Sequence, residues 1–393
     1  MKIKYIENEV NNGIAYDWKA IIREYRKLGV PPEYDYSDIL PLYDDILKWY
    51  VLCSERSVGK TTTILLIGMV MHKLYGTIIQ HIRHNDKEQK ASYFQKLFET
   101  VCNYNNGQYV ELLTDGEYNT VVYYSKAFYY GKCVDNKTVR SEKPFMIALS
   151  ARDCYQLCST YEAPKGDLIL LDECFNDTNR PEEFIRFNHL LKTILRERLS
   201  AKIFILGNNI NVHNIWYRQM TIHNQVRKME KGDKKIVYTC EGMPIYVAFL
   251  ENRAPEKRKR FNKLYYGFNN SELNSITGNG TWKIKEYPNV TLLNNVEKIY
   301  RGVYVSYHDD IYLEIELLNS DSGFYYFVHP ANMRSAIKGD LLYVMRTPSK
   351  QNELYFGRDH FIDKIMLAIR NNRVVYSDNE TGDLFEKFIK ETE

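Results

Sequence analysis

Ser54-Glu-Arg-Ser-Val-Gly-Lys-Thr61 is the most informative motif of this 393-residue chain. It fits the phosphate-loop pattern G-x-x-x-x-G-K-[ST] at every position except the first, where serine replaces glycine. An apolar run at 47–52 precedes it and predicts a strand, and residues 62–75 predict a helix rich in Ile, Leu and Met. A strand, loop and helix in this order present backbone N–H groups to a phosphate at the start of the helix.

The residue types in this loop are those that hold a nucleotide. Gly59 permits close approach of the backbone, the Lys60 ammonium reaches the β- and γ-phosphates, and the Thr61 hydroxyl is a ligand for Mg²⁺. The alternative is an ordinary loop before a buried helix. We expect ATP to contact the whole loop and the residue after it: Ser54, Glu55, Arg56, Ser57, Val58, Gly59, Lys60, Thr61 and Thr62.

A second signal lies at the end of the apolar run Asp167-Leu-Ile-Leu-Leu-Asp-Glu173. Asp172 is placed to hold the Mg²⁺ ion together with Thr61. Glu173 is placed to accept a proton from the attacking water, which makes it, with Lys60, a predicted catalytic residue. An adjacent glutamate distinguishes ATPases that carry their own base from P-loop switch proteins. Alone, an acidic pair at a strand end is common, so the interpretation depends on the upstream loop.

Asn208 and one of two nearby arginines complete the predicted catalytic set. Asn208 follows the apolar strand predicted at 203–206, where its amide can face the γ-phosphate or the water; the alternative is a turn or cap asparagine. Arg196 and Arg198 end a helix predicted at 182–198, and an arginine from a neighbouring subunit can neutralise transition-state charge. The alternative for both arginines is a solvated helix C-terminus, where cations are favourable.

Strands and helices alternate from residue 47, which predicts an α/β fold with a mainly parallel sheet. We expect residues 1–250 to form a P-loop ATPase domain, with 1–46 as an N-terminal extension. The domain would be of the type that carries an additional catalytic glutamate. A basic, polar linker at 251–285 and a smaller domain at 286–393 follow. Seven cysteines without a Cys-x-x-Cys pair argue against a disulfide framework and a structural zinc site. No stretch approaches 18 apolar residues, so we expect no membrane span.

The formal net charge of only +3 means that nucleic-acid contacts must come from local basic clusters. Lys87 and Lys90 are the first candidates for contact with DNA, and Arg258 and Arg260 in the linker are the second. A further basic group surrounds a Gly-Asp turn at 227–235. The alternative for each cluster is solvated surface or, for the linker, a flexible hinge.

The order of these motifs resembles that of the genome-packaging ATPases of small short-tailed bacteriophages, relatives of the terminase large subunits. The resemblance rests on Ser54–Thr61, Gln80-His-Ile-Arg83, Leu170-Leu-Asp-Glu-Cys-Phe175, Leu191-Lys-Thr-Ile-Leu-Arg-Glu-Arg198 and Ile203 to Asn208. It adds Arg83 to the nucleotide-binding set and assigns the role of trans-acting arginine to Arg196, with Arg198 second. It covers most of the chain after residue 47.

The resemblance implies a homo-oligomeric ring, often a pentamer, that uses ATP hydrolysis, with Mg²⁺ as cofactor, to move double-stranded DNA into a viral procapsid. The ring would work in the host cytoplasm, transiently at the capsid portal, and a packaging RNA is a possible partner. The second domain would be α+β and RNase-H-like. Its predicted strand at 302–307 has no interior acid, and Glu314 and Glu316 share one face of the next strand, as a solvated face or a remnant. We expect it to bind and not to cleave.

Two other functions are compatible with the same motifs. One is a helicase or recombination ATPase that acts on DNA, and the other is a nucleotide-gated DNA-binding protein with little turnover. A guanine-specific switch protein would need N-K-x-D, whereas Asn136-Lys-Thr-Val139 lacks the Asp. Duplex DNA should stimulate the ATPase of a packaging motor, and strand separation would identify a helicase.

Overall fold

The computed structural model describes residues 16–54, 59–83, 98, 108–134, 137–151, 167–175, 181–196, 198–208, 214–254, 256, 260, 287–289, 296–307, 311–321, 323–331, 342–344, 348, 351–355 and 360–390. The chain divides into two compact units, 1–282 and 283–393. The division falls inside the segment predicted as the linker. Among the described residues, no helix combines the length and apolar character needed to cross a membrane.

The first unit is built from ten strands and the helices that cover their sheet. The strands are β1 (Trp49–Ser54), β2 (Ile79–Arg83), β3 (Thr120–Tyr124), β4 (Ala127–Val134), β5 (Lys137–Arg140), β6 (Met146–Ser150), β7 (Leu168–Leu171), β8 (Lys202–Asn208), β9 (Lys234–Tyr238) and β10 (Pro244–Leu250). The helices are α1 (Trp18–Lys27), α2 (Lys60–Tyr75), α3 (Gln108–Leu113), α4 (Pro181–Leu195), α5 (Ile215–Gln219) and α6 (His223–Val226), with 3-10 turns at Pro32–Tyr34 and Ser37–Ile39.

Nine of the described strands follow the order β3-β4-β6-β2-β7-β8-β1-β10-β9, and β5 pairs with β4. The six from β6 to β10 in this order are mutually parallel. Antiparallel strands are added at both ends, β4 against β6 and β9 against β10. The prediction of an α/β fold with a mainly parallel sheet is confirmed.

The parallel strands are buried on both faces, which explains their continuous apolar sequences. In β1, Tyr50 and Leu52 pack into the core that contains α2, whereas Val51 and Cys53 pack into a second core that contains α4. Side chains alternate between the faces of a strand, so each strand supplies both cores.

The N-terminal region, residues 16–46, packs into the first of these cores. Asp17 caps α1 by accepting a hydrogen bond from the backbone N–H of Ala20 at 3.0 Å. Trp18, Ile21, Ile22 and Tyr25 of α1 are buried, and their helical spacing forms one apolar stripe. These apolar residues do not form a continuous run in the sequence, and the helix brings them to one face.

The second unit has a six-stranded sheet with the order β15-β14-β11-β12-β13-β16 among the described residues. Its elements are β11 (Glu297–Tyr307), β12 (Ile311–Ser320), β13 (Gly323–Pro330), β14 (Leu342–Val344), β15 (Glu353–Tyr355), β16 (Val374–Tyr376), α7 (His360–Arg370) and α8 (Asn379–Lys390). Strands β11, β12 and β13 are antiparallel, and β14 is parallel to β11.

Leu313 and Ile315 of β12 pack against the two helices of this unit. Glu314 and Glu316 share the other face of the strand, as predicted. Their residues are only 3% and 2% exposed, so the interpretation of a solvated face is wrong. Strand alternation shows which residues share a face but not whether that face is covered.

Candidate nucleotide site

Four parallel strands end at one edge of the first sheet and bring the predicted site residues together. Strand β8 lies between β1 and β7, and β7 also pairs with β2. Ser54 therefore lies beside Asn208 in register, and Asp172 follows β7 on the other side of β8. The carboxyl ends of parallel strands are the ligand-binding edge of an open α/β sheet.

Gly59 begins α2 in a left-handed conformation, with φ of 99°. A side chain here would be disfavoured by this φ and by space, since an added Cβ would lie 2.9 Å from Tyr34 Cα. The Thr63 hydroxyl donates to the Tyr34 carbonyl at 2.9 Å and accepts from the Tyr36 N–H at 3.2 Å. The N-terminal region thus packs against the start of the phosphate-loop helix and is hydrogen-bonded to it. The sequence did not predict this contact.

The Lys60 ammonium is buried, and it donates to Ser54 Oγ at 3.0 Å and to Asn208 Oδ1 at 3.1 Å. Burial lowers the pKa of Lys60, whereas the charge of Asp172 raises it. The serine that departs from the phosphate-loop pattern is therefore a hydrogen-bond partner of the lysine. These contacts hold the ammonium at the edge where a phosphate would bind.

Thr61 and Asp172, the two predicted Mg²⁺ ligands, lie next to each other. The Thr61 hydroxyl donates to Asp172 Oδ1 at 3.2 Å. Burial raises the pKa of the Asp172 carboxyl, but His81, Arg83 and Lys60 act in the opposite direction and lower it to about 2. A hydroxyl and an ionised carboxylate at this separation are suitable oxygen ligands for Mg²⁺.

Glu173 projects from a strained position beside this pair. Its φ of 55° is uncommon for a residue with a side chain. Its backbone N–H donates to Asp172 Oδ1 at 3.1 Å, and its side chain is 51% exposed. A carboxylate that is open to solvent at the carboxyl edge of the sheet can receive a proton from water.

Arg83 ends β2 and reaches both carboxylates. Its guanidinium lies 3.3 Å from Asp172 Oδ2 and 3.5 Å from Glu173 Oε2, although its side chain is only 2% exposed. His81 on the same strand is fully buried, with Nε2 3.7 Å from Asp172 Oδ2. Arg83 thus lies in the predicted site, but the groups it contacts here are the acidic residues. His81 lies in one of the segments that carry the family resemblance, but no sequence signal predicted its contact with Asp172.

Arg196 and Arg198 lie at the opposite edge of the sheet. Arg198 Nε is 3.6 Å from Asp167 Oδ1, and Asp167 immediately precedes β7, whereas Asp172 follows it. Arg198 also donates to the carbonyl of Ile194. Arg196 is exposed and has a φ of 39° at the end of α4. Neither arginine therefore belongs to the site formed by its own chain.

Several predicted residues lie outside the described part of the chain: Glu55, Arg56, Ser57, Val58, Lys87, Lys90 and Arg258. Their assignments remain predictions. Thr62 is half-buried in the first turn of α2, and Arg260 is exposed.

Gly207 is a further position that the sequence did not single out. An added Cβ would lie 1.8 Å from Phe175 Cδ2, and Cys174 N donates to Leu206 O at 3.2 Å. The Phe175 ring, two residues after Glu173, therefore packs on β8, the strand that carries Asn208. This packing links the positions of Glu173 and Asn208.

The solved structures that match this chain over nearly its full length include two phage packaging motors. The Phi-28 gp11 DNA packaging motor is 17% identical, with 92% of this chain and 98% of that chain covered and a TM-score of 0.52. The bacteriophage Phi-29 viral genome packaging motor assembly is 14% identical, with coverage of 92% and 100% and a TM-score of 0.53. No protein-family model matches this chain, and no curated protein matches it in sequence. This chain therefore has the fold of the phage DNA-packaging motor proteins.

Proposed function

We propose that this protein is an ATP-driven motor that moves double-stranded DNA into a viral procapsid. The observation that carries the proposal is the convergence of Lys60, Thr61, Asp172, Glu173 and Asn208 at one edge of a sheet. The fold shared with two phage packaging motors supports the choice of DNA packaging among the reactions of P-loop ATPases.

The described residues fit MgATP in their chemistry. The Lys60 ammonium would neutralise phosphate charge, and the hydroxyl of Thr61 and carboxylate of Asp172 would hold Mg²⁺. When bound by these residues, Mg²⁺ would supply Lewis-acid polarisation of the phosphoryl oxygens. Glu173 accepts the proton of the attacking water, and the Asn208 amide orients that water or the terminal phosphate.

The Arg83 guanidinium contacts both acidic residues and thereby holds Glu173 beside Asp172. Arg196, at the opposite edge of the sheet, would act on the site of a neighbouring subunit. An arginine supplied in trans can stabilise the charge of a phosphoryl-transfer transition state. An arginine that acts in this way needs an adjacent subunit, and we propose a homo-oligomeric ring, a pentamer, docked on the capsid portal, with a packaging RNA as a further partner. The motor would act in the host cytoplasm.

For the second unit we propose an RNase-H-like fold that binds without cleaving. The sheet topology supports this fold. Strands β11, β12 and β13 are antiparallel, and β14 and β15 then extend the sheet as parallel strands on the free side of β11. Two-metal nucleases place two ions about 3.5–4 Å apart. The described residues of this unit offer one three-ligand group, Glu314, Glu316 and His329.

The test is ATP turnover by the purified full-length chain with and without duplex DNA. We expect duplex DNA to stimulate turnover and Lys60→Ala to abolish it. Glu173→Gln should still bind ATP but should lose at least about 100-fold in kcat, because only the base is lost. Glu182→Gln is the matched control, since Glu182 is an exposed glutamate in the first turn of α4.

Normal turnover by Glu173→Gln would remove Glu173 from the catalytic role. Turnover that DNA does not change would contradict the motor and favour the nucleotide-gated binding protein. Strand separation would favour the helicase. Plasmid cleavage with Mg²⁺ or Mn²⁺ would contradict the non-cleaving role of the second unit.

A further inference from the structure

The geometry points to a divalent-cation site in the second unit, formed by Glu314 and Glu316 of β12 and His329 of β13, for a Zn²⁺-type ion. One ligand atom from each of these side chains lies within 4.8 Å of the other two. The site belongs to the second unit, whereas the nucleotide site belongs to the first, and it does not depend on the proposed motor function.

The strands place the three side chains on one face of the sheet. Glu314 stands opposite His329 in the antiparallel ladder, and Glu316 stands opposite Phe327. Directly opposite residues share a face, as do residues two apart on one strand. The Phe327 and His329 rings stack with their centroids 5.0 Å apart, which limits rotation of the imidazole. Both glutamates are buried, so the face is protected from solvent.

The imidazole of His329 is oriented as a metal ligand. Its Nδ1 lies 3.1 Å from the carbonyl oxygen of Pro330. A carbonyl oxygen only accepts, so this contact requires the proton on Nδ1 and leaves the lone pair on Nε2 of the neutral ring. A hydrogen bond from the second ring nitrogen to a carbonyl is the usual way in which proteins fix the tautomer of a ligating histidine.

The two oxygens of Glu316 have different environments. Oε1 accepts a hydrogen bond from the Lys298 ammonium at 2.7 Å. Oε2 is buried and has no hydrogen-bond partner among the described residues. A buried carboxylate oxygen without a partner is costly. Oε2 lies 3.9 Å from His329 Nε2, the other nitrogen of the imidazole.

The distances between His329 and the two carboxylates fit a shared metal ion better than direct hydrogen bonds. His329 Nε2 is 3.9 Å from Glu314 Oε2 and 3.9 Å from Glu316 Oε2, beyond the length of a hydrogen bond. A tetrahedral ion with bonds of about 2.0–2.2 Å holds its ligand atoms about 3.4 Å apart. The two nitrogen–oxygen distances would therefore need to shorten by only about half an ångström around such an ion.

The ligand set indicates the class of ion. One imidazole and two carboxylates suit a borderline divalent ion such as Zn²⁺, with water as the fourth ligand. The absence of a Cys-x-x-Cys pair argued against a structural zinc site, but this group contains no thiolate. The ion would join two neighbouring strands on the face of the sheet opposite the two helices.

Co²⁺ titration of the full-length, nucleotide-free protein tests the proposal, with visible absorption as the readout. We expect one equivalent to give the bands of a four-coordinate ion without the near-ultraviolet band of thiolate ligands. Glu316→Gln and His329→Gln should each weaken this binding at least about 100-fold, because each removes a ligand. Glu297 is an exposed glutamate on β11. Glu297→Gln and Lys298→Ala should still bind one equivalent of Co²⁺, since neither residue supplies a ligand atom.

X-ray absorption of the Zn²⁺-loaded wild-type chain is a second readout. It needs no variant, so misfolding of a variant cannot affect the result. A first shell of nitrogen and oxygen atoms with one imidazole would support the site. A shell that contains sulfur, or no bound Zn²⁺ equivalent, would overturn it. Equal Co²⁺ affinity of the wild type and both ligand variants would also overturn it.

Discussion

Lys60 Nζ lies 3.1 Å from Asn208 Oδ1, although 148 residues separate the two in sequence. The contact arises because β8 is the neighbour of β1 in the sheet. The amide is therefore fixed next to the residue that would hold the terminal phosphates.

Asn208→Ala should lower kcat for ATP hydrolysis about 10–100-fold while ATP affinity changes little, because an amide that acts in the transition state is lost. Ser54→Gly is the comparison: it removes the other hydrogen bond of Lys60 but restores the common phosphate-loop residue, so kcat should stay within about threefold. Steady-state turnover and equilibrium ATP binding separate the two effects. A larger loss with Ser54→Gly than with Asn208→Ala would remove Asn208 from the proposed role.

Arg196→Ala should be a defect that another subunit can correct. Lys60→Ala and Arg196→Ala subunits are each expected to be inactive, but mixed rings should recover part of the turnover. An intact Arg196 of one subunit would then serve an intact site of its neighbour. Mixing Lys60→Ala with Glu173→Gln is the control and should restore nothing, since both changes disable the site of their own chain. Mixed rings without recovered activity would contradict the assignment in trans.

Lys202 makes the free energy of unfolding depend on pH in a distinct way. Burial lowers the pKa of its ammonium from 10.5 to about 8. Between these values the unfolded chain binds a proton that the folded chain does not, so this group makes stability rise with pH. Cys53 opposes the trend above pH 9, because burial raises the pKa of its thiol to about 11.

The measurement is therefore the difference in unfolding free energy between the wild type and Lys202→Met, which isolates the lysine from the other groups. Relative to Lys202→Met, the wild type should gain stability from about pH 8 to pH 10. Denaturant unfolding at several pH values gives the curve. A flat difference over this range would show that Lys202 keeps its ordinary pKa in the folded protein.

Gly207→Ala should destabilise the first unit by about 1–3 kcal/mol, because the added methyl overlaps the Phe175 ring. In a Phe175→Ala background the same change should cost little, and the double-mutant cycle should show strong coupling. Denaturant unfolding of the four proteins measures it. Independent costs would mean that the ring is not the obstacle.

Lys87 and Lys90 are predicted from the sequence alone to contact DNA phosphates. Replacing both with alanine should weaken duplex binding equally for all sequences and reduce the salt slope by about one unit per lost contact. Basal ATP turnover should survive. Lys19→Ala with Lys27→Ala, exposed lysines of α1, removes the same charge elsewhere. An unchanged slope, or an equal effect of the α1 pair, would count against the placement.

The nucleotide site was predictable because its signals are local. Each polar residue follows an apolar run, and the carboxyl ends of parallel strands meet at one edge, as Asp172 and Asn208 show. The antiparallel strands β3, β4, β5 and β9 were not predicted, because their pairing depends on partners distant from the motifs. Nor could the sequence show that Arg83 contacts both acidic residues or that the face of Glu314 is covered.

The hydrogen bonds between Thr63 and the backbone of Tyr34 and Tyr36 have a practical consequence for dissecting the protein. A fragment that begins at β1 would retain every motif of the phosphate loop. It would nevertheless lose the peptide that fills the space beside Gly59 and the apolar stripe of α1. Such a fragment should aggregate or hydrolyse ATP poorly for reasons unrelated to catalysis. The smallest ATPase fragment that can serve for biochemistry therefore starts before Tyr16.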